Sequence, residues 1–154
     1  RKLVSNKSVL LNQTVQTESS TVFTPMSVFI LLLLIIASIS FLKPSSQFLK
    51  YFDIILFFLT GALGLLLLFM WFGTDHGSCK NNLNLIWAFP PNIIMAFYLN
   101  RKKDWVRNYL LIYSILLIAL LIFGWFFQQL NYALIPIMLI LLLRCWKHFK
   151  LKSK

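Results

Sequence analysis

LNLIWAFPPNIIMAFYL, residues 83–99, decides how many times this chain crosses a membrane. The stretch is apolar enough to enter hydrocarbon, yet it is short and carries Pro90-Pro91 near its middle. As one α-helix it would be about 26 Å long, against a hydrocarbon core of roughly 30 Å. Two adjacent prolines also remove two backbone donors and strand carbonyls of the preceding turn. Prolines persist in a span where neighbouring helices, side chains or water satisfy those carbonyls. The segment therefore reads as a kinked span, with a half-helix and a re-entrant hairpin as the other arrangements.

Four further apolar segments flank it, at 25–42, 53–72, 105–127 and 132–146. Pro25 suits a first helical turn, and Lys43-Pro44 closes the first segment. The chain is 59% hydrophobic, above the roughly 45–50% of a soluble domain. Those residues come in unbroken runs rather than in an amphipathic rhythm. The expected fold is an all-α integral membrane protein, a bundle of about five transmembrane helices. In the second segment Thr60, Gly61, Ala62 and Gly64 are small enough to let helix backbones approach closely.

Four acids face fifteen Lys and Arg, a formal charge of +11. Nucleic-acid binding would interleave such charge with aromatics on one surface. Here the basic residues sit in short clusters after apolar runs, as on the cytoplasmic side of a membrane protein. No nucleic-acid partner is expected. With the N-terminus outside and the C-terminus cytoplasmic, Lys43, Lys50, residues 101–103, Arg107, Arg144 and the basic tail fall inside. Only Lys80 stays outside near a span. A four-span arrangement, with 83–99 re-entrant, misplaces only Lys43 and Lys50. Five spans are favoured by the lack of basic residues between Ser8 and Lys43. Five also put Trp71, Trp87, Trp125 and Tyr132 in an outer aromatic belt, and Trp105 and Trp146 in an inner one.

The polar side chains concentrate between the second and third segments. Asp75 beside His76 would suit a base or proton shuttle, and His76 with Cys79 is half a zinc site at best. Gly73, Thr74, Gly77 and Ser78 equally make this a solvated turn. Asn81, Asn82 and Asn84 exceed what one helix cap requires. Asn84 lies deeper, where an unpaired amide costs a few kcal/mol, so the run reads as a fixed joint between membrane and outer surface. Elsewhere Asp53 reads as an acid at a helix start, and Arg144 as a snorkelling side chain. His148 reads as part of the basic tail. Two cysteines are too few for a disulfide framework. No span carries a row of carboxylates and no pseudo-repeat is visible, which argues against a transporter.

Asn82-Leu83-Asn84-Leu85-Ile86-Trp87-Ala88-Phe89-Pro90, after the Trp71-Phe72-Gly73-Thr74-Asp75-His76 loop, resembles the membrane part of the Lnb-type lipoprotein N-acyltransferases. In that family an Asn-x-Asn-apolar-apolar-Trp-x-x-Pro pattern follows an apolar span and a short outer loop. The opening Arg1-Lys2-Leu3-Val4-Ser5-Asn6-Lys7 is similar to the exit from the family's soluble domain. The resemblance implies a multi-pass protein of the bacterial cytoplasmic (inner) membrane. It also implies a periplasmic, thiol-hydrolase-like domain that acylates the N-terminal cysteine of lipoproteins. Residues 1–23, polar and Ser/Thr-rich, would be the periplasmic linker from that upstream domain, and 24–154 the transmembrane helical domain. The chain begins at Arg1 without an initiator Met or signal peptide, so a fragment is expected.

The family's catalytic Cys and His belong to the soluble domain, so no catalytic role falls to Cys79 or His76. Asp75, His76, Asn82, Asn84 and Trp87 are the expected substrate-facing or domain-docking residues. Expected partners are membrane lipids and, through the parent protein, the lipoprotein substrate; no cofactor and no metal is expected. The alternative is a non-enzymatic membrane subunit scaffolding a larger complex of protein subunits. A third reading is a stand-alone enzyme that uses Asp75-His76 on a lipid.

Overall fold

The computed structural model describes residues 24–73, 82–101 and 103–152, and all of their regular structure is helical. Helix α1, Pro25–Leu42, starts where the Thr24 side chain accepts the Ser27 N–H at 3.2 Å, with Pro25 in its first turn. It stops at Lys43, whose N–H returns to the Ile39 carbonyl at 2.8 Å, just before Pro44. Helix α2, Gln47–Gly73, begins six residues before the start that hydropathy suggests. Its polar first turns continue the helix, so Asp53 lies inside α2 and not at its start.

Residues 83–99 form neither a continuous nor a simply kinked helix. They fold as α3, Asn84–Trp87, and α4, Asn92–Tyr98, separated by a turn at 88–91. Helix α5 follows at Asp104–Phe127, then a 3₁₀ turn at Tyr132–Leu134, and helix α6 at Ile135–Lys152. Helices α1, α2 and α5, together with the 132–150 stretch, are long and apolar enough to cross a membrane.

The broken segment runs the length of this bundle. Its first residue, Leu83, donates its N–H to Gln128 Oε1 at 2.8 Å, just past the end of α5. Near its other end the Tyr98 ring packs against Trp105 at 5.2 Å between centroids, in the first turn of α5. The segment is therefore antiparallel to α5, a helix of about 36 Å. Residues 88–91 leave the helical path as a turn, in which the Asn92 N–H bonds the Phe89 carbonyl at 2.9 Å and the Ile93 N–H bonds the Pro90 carbonyl at 3.2 Å. Four long helices and one interrupted pass take the place of about five uniform spans.

Helix α1 runs parallel to α6: the 3₁₀ turn before α6 packs on α1, while Ser40 near the end of α1 meets Arg144 within α6. Lys43, Lys50, Arg101, Lys103, Arg107, Lys147 and Lys150 all gather at the end of the bundle where α1 finishes and α5 begins. No Lys or Arg among the described residues lies at the other end. Trp125 stacks on Tyr132 at that other end, with centroids 4.6 Å apart.

Phe57, Met95, Leu110, Tyr113, Leu117 and Met138 fill the main core, and Ile36, Leu49 and Ile140 join α1 to α2 and α6. Much of the outer face stays apolar, as with Leu31, Leu34, Phe69 and Phe126, which suits contact with lipid. The tightest packing is between α2 and the broken segment. A Cβ on Gly64 would lie 1.9 Å from the Ala88 carbonyl oxygen, and one on Gly61 would lie 2.4 Å from the Ile93 nitrogen. Both obstacles are backbone, which cannot rotate away. Gly64→Val is therefore expected to destabilise the bundle by about 1–3 kcal/mol or more in detergent unfolding. Gly73→Ala meets only the Phe69 ring and stays within about 0.5 kcal/mol of the parent.

Candidate functional site

Two prolines set the first requirement. In a continuous helix the Pro90 and Pro91 nitrogens would bond to the carbonyls of Ile86 and Trp87, and neither proline has a hydrogen to give. The Tyr113 hydroxyl, on α5, takes over by donating to the Trp87 carbonyl at 2.6 Å. Its oxygen accepts from Asn92 Nδ2 at 3.0 Å, and the same amide nitrogen donates to Thr60 Oγ1 on α2 at 3.2 Å. The Tyr109 hydroxyl donates to Asn92 Oδ1 at 2.6 Å, and Thr60 donates to the Phe57 carbonyl at 3.1 Å. Asn92, Tyr113 and Thr60 are buried, and no buried side-chain nitrogen or oxygen among the described residues lacks a partner. The break is thus locked to both α2 and α5.

That lock fixes α3 at the end opposite the basic residues. There Asn82 Oδ1 accepts from the Asn84 backbone N–H at 3.0 Å and from Asn84 Nδ2 at 2.8 Å. Asn84 Oδ1 in turn accepts from Trp87 Nε1 at 2.9 Å. Gln128 closes the joint through Leu83 and, at 3.5 Å, through Asn82 Oδ1. Asn84 is therefore satisfied within its own segment, and the tie to a neighbouring helix runs through Leu83 and Asn82. Trp87 is buried under this joint and is not a belt residue. Asp75 and His76, with Cys79 and Lys80, lie outside the described residues.

Apolar grooves surround α3. One of 460 Å³ lies among Leu68, Ile86, Phe89, Pro90, Pro91 and Leu116. A second, of 220 Å³, shares Ile86 and Leu116 and continues along α5 to Phe127. A third, of 210 Å³, has Asn84 and Trp87 in its wall with Leu63, Leu66 and Leu134.

At the basic end a different cluster joins α1, α2 and α6. Asp53 receives Arg144 in two bonds, from Nε at 2.6 Å and from Nη2 at 2.7 Å. Arg144 Nη1 donates to Ser40 Oγ at 2.8 Å. His148 Nε2 lies 2.7 Å from Asp53 Oδ2, the oxygen that Arg144 Nη2 also meets. All four residues are buried, Arg144 at 2% exposure. Arg144 does not snorkel, because a carboxylate reachable inside the bundle satisfies it better than a stretched path to water. His148 is likewise part of the bundle and not of a solvated tail. No hydrogen bond joins His148 to a Ser, Thr, Tyr or Cys side chain among the described residues, so this cluster lacks the pairing of a nucleophile with its base. Nor do three His, Cys, Asp or Glu side chains among the described residues converge on a metal position.

A family model described as the Lnb transmembrane domain matches residues 16–154. The chain belongs to the Lnb transmembrane-domain family. No curated protein and no solved structure matches it. In this Lnb domain Asn82, Asn84 and Trp87 are joined by hydrogen bonds in the stretch that the sequence singles out, whereas Asn92, Tyr109, Tyr113 and the Asp53–Arg144–His148 cluster were not anticipated. Signals for them were present. An Asn follows the paired prolines inside an apolar segment, two tyrosines stand four apart on an apolar helix, and the acid Asp53 and the arginine Arg144 both interrupt apolar runs.

Two expectations follow for stability. Tyr113→Phe leaves the Trp87 carbonyl bare and should cost about 1–3 kcal/mol in detergent unfolding. Asp53→Leu strands a buried guanidinium and should cost about 3–5 kcal/mol, whereas Asp53→Leu with Arg144→Leu should recover most of that loss. Equal instability of the single and double variants would show that the ion pair itself supplies the stability.

Proposed function

We propose that this chain is the membrane domain of a bacterial lipoprotein N-acyltransferase. It anchors a periplasmic catalytic domain and forms the lipid-facing floor beneath that domain's active site. Membership of the Lnb transmembrane-domain family supports this reading. So does the distribution of charge: a basic end suits the cytoplasm, which leaves the α3 end outside and makes the broken segment a fifth crossing of the inner membrane.

The observation that carries the reading is the pairing of a rigid polar joint with apolar grooves at that outer end. The Asn82–Asn84–Trp87–Gln128 joint holds α3 at the membrane surface. Acyl chains of donor and lipoprotein fit the grooves on either side of it, with their carbonyl and headgroup atoms at the level of the Asn side chains. Asp75 and His76 belong to the loop that would meet the catalytic domain. The chain supplies positioning and not the reacting groups. Holding two lipids at one depth reduces the freedom that a bimolecular acyl transfer must otherwise lose.

The test uses cells whose lipoprotein N-acylation depends on the protein containing this domain, with N-terminal lipopeptides measured by mass spectrometry. Asn84→Ala releases Trp87 and should lower N-acylation by about tenfold to a hundredfold at unchanged protein level. Leu116→Trp, which obstructs the two joined grooves, should do the same. Full acylation in both variants would contradict the proposal and leave a scaffolding subunit, whose partner would then be sought by co-purification.

A further inference from the structure

We infer that the α5–α6 face at the basic end is a binding site for one anionic glycerophospholipid, separate from the grooves around α3. A groove of 360 Å³ there is lined by Leu111, Ser114, Ile118, Leu142, Trp146 and Phe149, among others. Its lining follows one stripe of each helix. On α5 the stripe runs from Arg107 through Leu111 and Ser114 to Ile118, and on α6 from Leu142 through Trp146 to Lys150. Arg107 and Lys150 are thus on the groove's own stripes, at its outer rim.

The rings that form the groove wall also hold those cations. The Arg107 guanidinium lies over Phe149 at 5.8 Å, and the Lys150 ammonium lies over Trp146 at 5.4 Å. Lys147 also reaches the Trp146 ring, at 5.2 Å, but lies closer to Phe41 of α1, at 4.0 Å. Asp104 lies one turn further out on the α5 stripe, and neither Arg107 nor Lys150 is ion-paired among the described residues. Two cations on the rim against one carboxylate, with Lys147 beside them, leave it positive.

The length selects the ligand. From Arg107 to Ile118 the stripe covers about 16 Å, close to half of a hydrocarbon core of roughly 30 Å. One acyl chain of one leaflet therefore fills the groove when its phosphate sits at the rim. Ser114 adds no unmet polar demand at the floor, since its hydroxyl already donates to the Leu110 carbonyl at 2.7 Å. A zwitterionic lipid fits the same groove but places a positive headgroup amine beside these cations. The rim therefore favours net negative charge.

The test is native mass spectrometry of the detergent-purified full chain with added dioleoylphosphatidylglycerol or dioleoylphosphatidylcholine. The parent should retain one phosphatidylglycerol in preference to phosphatidylcholine. Arg107→Gln with Lys150→Gln should bind phosphatidylglycerol about 25-fold more weakly, each basic residue contributing about a factor of five. Ser114→Phe, which fills the floor without altering charge, should also lose the lipid. Lys43→Gln with Lys50→Gln removes as much charge from the same end and should leave retention unchanged. Equal retention of both lipids by the parent overturns the inference. So does an equal loss in the Lys43/Lys50 variant, which would mark diffuse attraction to charge, or undiminished binding in Ser114→Phe.

Discussion

The Trp87 carbonyl loses its helical donor because Pro91 has none, and in hydrocarbon water does not replace it. The Tyr113 hydroxyl does so at 2.6 Å, and the rest of the domain is arranged around that bond. Tyr113 must stand opposite the break, which sets the register of α5. Its own oxygen then needs a donor, which Asn92 supplies from the first turn after the prolines. Asn92 in turn needs Tyr109 and Thr60, and Thr60 reaches it because Gly61 and Gly64 let α2 lie against the unwound backbone. The small residues of α2, the prolines and the tyrosines of α5 are thus parts of one solution. Its consequence for function is positional: it holds a short helix, two polar side chains and their flanking grooves at one level of the bundle.

The opposite end is held by charge. Asp53, Arg144, Ser40 and His148 satisfy one another's hydrogen-bonding groups and bring α1, which packs mainly through Ile36 and Ser40, onto α2 and α6. In a membrane apolar side chains give little preference for one helix neighbour over another, because lipid is as apolar as they are. A buried ion pair with one geometric solution therefore sets helix arrangement more than it adds net stability. The two ends divide the work: the amide–hydroxyl network shapes the α3 end, and the ion pair fixes which helices meet at the basic end.

Much of this was legible in the sequence, and the rest was not for identifiable reasons. Runs of apolar residues gave the long helices because spanning length and hydropathy are local properties. The small residues at 60–64 correctly signalled close backbone approach. The start of α2 was misread because a charge at Asp53 ends a hydropathy run without ending a helix. Its partner is 91 residues away, and such pairing leaves no local trace, so Arg144 looked like a snorkelling residue. Trp87 looked like an interface anchor because its position near a span end was visible and its burial beneath Asn84 was not. The Asn82–Asn84 joint was legible because its polar count exceeded the needs of a cap. Its tie to Gln128 depends on the antiparallel course of α5 and could not be read from spacing.

The broken segment traverses the bundle, so the 43–46 and 99–103 connections share one side. Single cysteines at Ser45, Asn100 and Gln129, in a chain with Cys79→Ser and Cys145→Ala, test it directly with a membrane-impermeant maleimide applied to intact and then permeabilised cells. Gln129→Cys is expected to react in intact cells, and Ser45→Cys and Asn100→Cys both to react only after permeabilisation. Labelling of Ser45→Cys and Asn100→Cys from opposite sides would contradict it, because residues 83–99 would then enter and leave the membrane on the same face.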